Sequence, residues 1–448
     1  MTGQNLIDRV AAQIVPLLPA HSSILIGLSG GVDSVVLLHL LHQLAPRYFW
    51  QLSALHVHHG ISPNADGWAD FCIDFCARQH VSLRIEHVDI TPLRANGIEA
   101  AARKLRHAAL AKQACDFVAL AHHADDQVET LLLQMLRGAG VRGASAMPVL
   151  SMAERPLLAD RASTPYVVRP LLHCSRQEIL DYAAAHGLKW IEDESNADDS
   201  YPRNFLRNRV LPLLSIKFPA YRDTLARGAK HFAEASSLLD ELAQQDAAQA
   251  IQADTLAVAA LQNISQLRAK NLLRYFLHTC GAPMPQAAQL EGMLQQLRNA
   301  REDAAVCIAY SDWEVRRFQG RVYALHALGE FDQNIVLPWR GESSLDWPAL
   351  NTSLIFAHRQ GEGISLTKLQ RAPVTLRLRR GGESMRPYPN AALRTLKNLL
   401  QEYRVPPWQR NRLPLLYCGD KLVCASGVAI AAEYQAAAEE VGIQLLSE

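Results

Sequence analysis

The chain has 448 residues, more than a single hydrophobic core ordinarily organises, so two or three domains are expected. Hydrophobic residues make up 49% and charged residues 20%, which excludes a disordered chain. The formal net charge is only +1, so any acidic partner must be met by local clusters of charge rather than by the whole molecule.

Residues 1–18 set Asp8 and Arg9 inside an amphipathic pattern, which argues against a signal peptide. No apolar run reaches the roughly 18 residues that cross a bilayer, so a soluble cytoplasmic protein with no membrane partner is expected. Up to about residue 215, short apolar strands alternate with helical stretches, the pattern of a parallel sheet covered by helices. Strands are expected at 24–28, 52–57, 83–88 and 117–121, with a fifth beginning at Val167 and Val168, and a helix at 35–44. Another helix is framed by Ser175 and Glu178 as a capping box and by Gly187 as a stop. The stretch 151–166 has no period and reads as a mobile surface loop. Beyond Pro219 an Ala-, Leu- and Gln-rich helical texture runs to about Leu297, and alternating segments at 374–378 and 422–425 point to an α+β domain. The eight cysteines include no C-x-x-C pair and read mostly as buried apolar residues in a reducing compartment. The 17 histidines form no H-E-x-x-H zinc pattern.

The sharpest local signal is Ser29-Gly30-Gly31-Val32-Asp33-Ser34, between the first strand and the first helix. Two glycines allow a tight turn and a close backbone approach, and the helix N-terminus behind them offers N–H groups to a phosphate. No Lys follows the glycines, so this is not a Walker loop. Asp33 would repel phosphates unless a Mg²⁺ ion lay between them, which points to a metal–nucleotide complex. Three further clusters fall just past strand ends, where a doubly wound sheet binds ligands. They are His56-Val57-His58-His59-Gly60-Ile61, the run from Gly97 to Arg103, and His122-His123-Ala124-Asp125-Asp126-Gln127-Val128-Glu129-Thr130. Asp126 and Glu129 share a helix face, an arrangement that suits a metal ion or an ammonium group. Each cluster taken alone also reads as ordinary polar surface.

Together, S-G-G-V-D-S, H-V-H-H-G-I-S, G-I-E-A-A-A-R-K-L-R and A-H-H-A-D-D-Q-V-E-T resemble the tRNA(Ile)-lysidine synthases of the PP-loop ATP pyrophosphatase superfamily. So do Trp190 to Asn196, Arg203 to Arg207, and Val405-Pro406-Pro407-Trp408 near the end of the chain. The resemblance implies an α/β fold in three parts. These are a doubly wound parallel-sheet PP-loop ATPase domain over 1–217, a helical middle domain over 218–330, and a small α+β C-terminal domain over 331–448. It implies ATP-dependent ligation of free L-lysine to C2 of the wobble cytidine of tRNA(Ile), through an adenylated cytidine, with release of pyrophosphate and then AMP. Ser29, Gly30, Gly31, Val32, Asp33, Ser34 and His122 would bind ATP, with Mg²⁺ at Asp33. Asp33, Arg103 and Asp126 would be catalytic, and Asp126 and Glu129 would hold lysine. A homodimer is compatible with this reading. Three alternatives stay open: a cytidine thiolase of the same superfamily, though C-x-x-C is lacking; an amidotransferase, though no glutaminase domain is evident; and a non-catalytic nucleotide-dependent RNA-binding protein.

Two segments concentrate positive charge. Residues 203–230 hold five Arg and two Lys against Asp223, and residues 371–412 hold nine Arg and one Lys against Glu383 and Glu402. The second also carries Tyr388, Tyr403 and Trp408, which offer stacking surfaces to unpaired bases. Arg203, Arg207, Arg377, Arg379 and Arg380 are the expected tRNA contacts, because a guanidinium grips two phosphate oxygens at once.

Overall fold

In the first strand, Ile24 and Ile26 turn to one face of a sheet and Leu25 to the other, and each side packs into its own apolar cluster. Such a strand is covered on both faces, which is why it reads as an uninterrupted apolar run. The computed structural model describes residues 5–91, 98–152, 164–301, 304, 306–329, 331–350 and 352–447. Its contacts divide the chain into two units, Met1–Leu242 and Ala243–Glu448.

In chain order the first unit runs α1 Leu6–Ile14, β1 Ser23–Gly27, α2 Val32–Tyr48, β2 Gln51–His58, α3 Ala65–Arg78, β3 Ser82–His87, α4 Ile98–Ala111 and β4 Phe117–Ala119. It continues with α5 Ala124–Leu136, α6 Val141–Ala144, β5 Leu150–Met152, β6 Tyr166–Val168, α7 Arg176–Ala185, α8 Pro202–Phe205 and α9 Leu211–Lys217, and it contains most of the long helix α10, Tyr221–Ala250. The sheet order is β3-β2-β1-β4-β6-β5, parallel except for the β5–β6 pair. The chain moves outward from β1 through β2 to β3, then returns to β4 on the other side of β1. This reversal opens the crevice in which doubly wound sheets bind ligands. α1, α2, α3 and α7 pack on one face of the sheet and α4 on the other.

The expected capping box is present: Glu178 N donates to Ser175 Oγ at 3.3 Å, and Ser175 N donates to Glu178 Oε2 at 2.8 Å. Gly187 follows with φ +60°, the left-handed stop that ends α7. One expectation is corrected. Ser151 and Met152 lie in β5, antiparallel to β6, rather than in a loop, while 153–163 fall outside the described residues.

The second unit begins within α10 and has two cores. The first surrounds β7 Ile251–Gln252, β8 Thr255–Ala257, α11 Val258–Asn263, α12 Gln266–Thr279, α13 Ala287–Asn299, β9 Cys307–Tyr310, β10 Trp313–Phe318 and β11 Arg321–His326. The region is helical as expected, and it also carries a five-stranded sheet, β7-β8-β11-β10-β9, which the helical texture does not announce. The second core is mainly β, with β12 Val336–Trp339, β13 Ser344–Trp347, β14 Thr352–Gln360, β15 Ile364–Ser365, α14 Leu366–Leu369, β16 Val374–Arg377, β17 Ser384–Met385 and β18 Arg394–Thr395. It closes with α15 Leu396–Glu402, α16 Pro407–Arg410, β19 Leu415–Cys418, β20 Lys421–Ala425, β21 Ala429–Ile430 and β22 Val441–Ser447. Its two larger sheets run β12-β16-β19-β20-β21 and β13-β14-β22-β15. No helix among the described residues is long and apolar enough to cross a membrane.

Candidate active site

Between β1 and α2 the backbone turns through Gly30 at φ +88°, where side-chain-bearing residues are strained. A Cβ at that position would also lie 2.5 Å from Ile191 Cδ1, the movable end of that side chain, so it is the backbone angle that demands glycine. The loop is stapled from within. Ser34 Oγ donates to Gly31 O at 2.9 Å, Ser29 N donates to Ser34 Oγ at 3.2 Å, and Ile191 N donates to Gly30 O at 2.9 Å. Beneath it, His56 Nδ1 lies 2.9 Å from Leu28 O, and a carbonyl only accepts, so that nitrogen carries the proton. Burial keeps the His56 ring below the usual histidine range. The turn therefore presents the N-terminus of a 17-residue helix as a preformed anion site.

Asp33 sits in the first turn of α2. Its Oδ1 is buried and accepts no hydrogen bond, with His123 Nε2 3.8 Å away. Burial raises the Asp33 pKa, and His123 and Arg176 oppose that rise. His123, 2% exposed ahead of α5, also lies 3.4 Å from Asp126 Oδ2 through Nε2 and 3.8 Å from Asp125 Oδ2 through Nδ1. One buried imidazole thus connects the phosphate loop to the carboxylates of α5.

Those carboxylates are heavily engaged. Glu129 is fully buried; its Oε2 accepts from Arg203 Nε at 2.6 Å and from Arg207 Nη2 at 2.9 Å, and its Oε1 accepts from Arg207 Nε at 2.6 Å. Asp126 Oδ1 accepts from Arg203 Nη2 at 3.0 Å and Arg207 Nη2 at 3.2 Å, and its Oδ2 accepts from His123 N at 3.0 Å. Burial alone would raise the Asp126 pKa, but His123 and Arg203 hold it down at about 2. Arg203 and Arg207 reach the same pair because α8 continues into a π-helical segment, Leu206–Val210. Asp125 faces elsewhere, accepting from Arg222 Nε and, at 3.0 Å, from Arg176 N.

Burial pushes the His122 ring down to about 3, with Asp126 opposing and Arg169, Arg203 and Arg103 assisting, so the ring is neutral. Its Nδ1 is buried without a hydrogen-bond partner. Arg169 is 8% exposed and donates through Nη1 to Pro148 O at 2.8 Å and Ser151 Oγ at 3.1 Å. Burial and the nearby charge of Arg103 lower its pKa to about 10. Arg103, exposed on α4, therefore lies in the field of both His122 and Arg169.

The phosphate loop, Asp33, Arg103, His122, Asp126 and Glu129 thus stand at one edge of one sheet. Arg203 and Arg207, expected on an RNA-facing surface, are instead turned onto Asp126 and Glu129. In the second unit, Arg377 donates through Nη2 to Gly419 O at 2.9 Å and lies 4.6 Å over the Tyr417 ring. Arg379 Nε is 3.8 Å from Glu383 Oε2, while Arg380 is exposed. Sequence reasoning assigns no role to His123, Asp125, His56 or Arg169. Arg169 has a visible signal, a lone charge inside the apolar run from Val167 to Leu172. Gly97 lies outside the described residues.

A PP-loop domain model matches residues 4–214, a TilS substrate binding domain model residues 256–323, and a TilS substrate C-terminal domain model residues 374–446. A tRNA(Ile)-lysidine synthase of Nitrosomonas europaea is 41% identical over 418 residues, covering 93% of this chain and 90% of its own. Another, of Coxiella burnetii, is 38% identical over 433 residues, covering 96% and 94%. The chain belongs to the tRNA(Ile)-lysidine synthase family. It is a ligase that forms a carbon–nitrogen bond, with a PP-loop domain for ATP. Near-full-length likeness to synthases leaves the thiolase alternative with less support, and the lack of a C-x-x-C pair agrees.

Proposed function

We propose that the first unit adenylates the wobble cytidine of tRNA(Ile) and then exchanges AMP for free L-lysine, with 1–217 as the catalytic domain and 218–330 and 331–448 holding the tRNA. Replacing a stable carbonyl oxygen by an amine requires a good leaving group, and adenylation supplies one. The cytidine C2 oxygen attacks the α-phosphate and pyrophosphate leaves. The lysine ε-amine then attacks C2, loses its proton and expels AMP.

The observation that carries this reading is the buried, unpartnered Oδ1 of Asp33, joined through His123 to the carboxylates of α5. Among the described residues no group of three or more His, Cys, Asp or Glu side chains could hold a metal ion. A single carboxylate oxygen nevertheless fits Mg²⁺, which takes most of its ligands from phosphates and water. Bound at Asp33, Mg²⁺ would offset phosphate charge. The first-turn N–H groups of α2 orient the phosphates, Ser29 and Ser34 hold the loop, and Arg103 offers charge to the α-phosphate as it becomes more negative. Asp126 and Glu129 are the candidates for holding the lysine ammonium, and Arg203 and Arg207 hold both carboxylates in place.

The test is pyrophosphate and AMP release with ATP, Mg²⁺, tRNA and lysine, omitting one component at a time. Pyrophosphate release should need tRNA but not lysine, and turnover to AMP should need lysine. Asp33→Asn should stay folded and lose adenylation by at least roughly 100-fold; near-normal release would remove Asp33 from the metal role. Glu129→Gln should weaken lysine use roughly 10- to 150-fold at unchanged ATP affinity. The opposite pattern would move Glu129 to the nucleotide.

A further inference from the structure

The sheet of the second unit's first core has two faces, and its helices cover one of them. Along β10, Trp313, Val315 and Arg317 are buried, and Arg317 donates to Leu297 O and Ala300 O at the end of α13. Glu314, Arg316 and Phe318 alternate with them and therefore belong to the other face. Across the hairpin, Arg316 is in register with Tyr323.

This second face meets Trp408 of α16, which belongs to the C-terminal part of the unit. The rings of Tyr323 and Phe318 stand edge-on to the indole, with centroids 5.2 and 6.0 Å away and interplanar angles of 76° and 79°. The Arg316 guanidinium lies 5.1 Å over the indole ring and is held by Glu314 Oε2 at 2.8 Å. Alongside, Arg412 donates to Gly329 O and lies 4.3 Å over the Phe331 ring. Trp408 is half-buried by these contacts rather than open to a stacking base. An indole gripped at its edges and face by aromatic rings and a cation is held in one orientation.

We infer that Trp408 is a positioning residue for the tRNA substrate: it locks the middle and C-terminal lobes of the second unit into one rigid body, so that both meet the RNA at once. The inference rests on the reading that this unit holds the tRNA. Two lobes that bind one ligand gain affinity when the second lobe is presented at high effective concentration, and a loosened seam forfeits that gain even though every group that touches the ligand is still present. Trp408 thereby acts through Arg316, Phe318 and Tyr323, not through the bases.

The test measures tRNA affinity over a salt series, with ATP affinity and thermal unfolding as controls, in the full-length protein. The variants are Trp408→Ala, Tyr323→Ala, their double, and the surface pair Arg380→Ala/Arg386→Ala. Trp408→Ala should weaken tRNA binding about 10-fold at an unchanged salt slope and unchanged ATP affinity. Tyr323→Ala should weaken it less, and the double should be no weaker than Trp408→Ala alone, because both break one seam. Trp408→Phe should recover most of the loss. Wild-type affinity in Trp408→Ala, with a weakened surface pair, would overturn the inference. So would a silent Tyr323→Ala or additive losses, since Trp408 would then touch RNA directly. If the surface pair and Trp408→Ala both bind tRNA normally, the assignment of tRNA to this unit fails first. Should Trp408→Ala not fold, Arg316→Met removes the cation over the indole together with its pairing to Glu314 and should weaken binding about 3-fold at the same slope.

Discussion

The two arginine-rich segments look alike as sequence and differ as structure. In 203–230, Arg203 and Arg207 engage Asp126 and Glu129, Arg209 engages Asp199, and Arg222 engages Asp125. In 371–412, Arg371, Arg380, Arg386, Arg394, Lys397 and Arg404 are all exposed, and Arg394 is paired with Glu402. A count of charge along the chain sees two basic runs, of net +6 and +8. It misses the first segment's acids because two of them lie 74 and 77 residues from Arg203. A basic run is a phosphate surface only when the fold does not bring it its own carboxylates. Arg203 and Arg207 in the first segment are framework, and the second segment is the candidate RNA face.

The largest effect should follow from breaking the framework. Arg207→Ala leaves the fully buried Glu129 with one of its two guanidinium partners, and removing one partner of a buried pair costs about 3–5 kcal/mol. Chemical denaturation should show that loss, together with collapse of the lysine-dependent step. A loss below about 1 kcal/mol with only tRNA affinity reduced would return this residue to the RNA surface and break the contrast.

Acid should separate the segments next. Asp126 is held at about 2 by His123 and Arg203 against the opposing effect of burial, below its unfolded value of about 3.9. Its folded-state pKa is depressed, so its contribution is fully present above about pH 4 and fades as pH falls toward 2. By linkage this is on the order of 2 kcal/mol. Hydrogen exchange of the α5 amides between pH 5 and pH 2.5 should report the loss. Asp126→Asn should show a flatter dependence, and equal pH dependence in both proteins would mean the cluster does not hold the carboxylate ionised.

Much of this is legible in the sequence, for reasons that vary by residue. β1 and β4 announce themselves because strands buried on both faces must be apolar throughout, and the phosphate loop because only glycine tolerates its turn. Asp126 and Glu129 are visible as a helix-face pair. Their partners are not, since nothing local marks Arg203 and Arg207 as facing inward. β5 escapes because three residues pairing antiparallel at a sheet edge carry no period, and the sheet at 251–326 because short strands are interleaved with stronger helical signals. Trp408 is misplaced by sequence for the same reason as the arginines: an aromatic in a basic segment looks open until the sheet that covers it is known.

On the other side of the contrast, Arg380, Arg386 and Arg404 replaced together by Ala should leave ATP affinity and stability unchanged. tRNA binding should fall about 10-fold, with a salt slope shallower by roughly one for each phosphate no longer neutralised. Arg377 and Arg379 are poorer choices because Gly419 O and Glu383 already occupy them. An unchanged slope would mean that these cations face solvent and that the second segment is no more an RNA surface than the first.

The smallest effect is the sharpest test, because it lies inside the first segment. Arg209 follows Arg207 by two residues and belongs to the same π-helical turn, yet its side chain is 69% exposed and pairs with Asp199 at 2.6 Å. Exposed pairs contribute little, so Arg209→Ala should barely change stability. If the segment is framework, lysine use, pyrophosphate release and tRNA affinity should all stay within about 2-fold of wild type, the range of a surface change. If the segment instead faces RNA, Arg209 is the cation best placed to touch a phosphate, since its neighbours are turned inward. Arg209→Ala would then weaken tRNA binding and flatten the salt slope while Arg207→Ala destabilised the fold. That combination would make one short helical stretch serve the chemistry with its inner face and the RNA with its outer one.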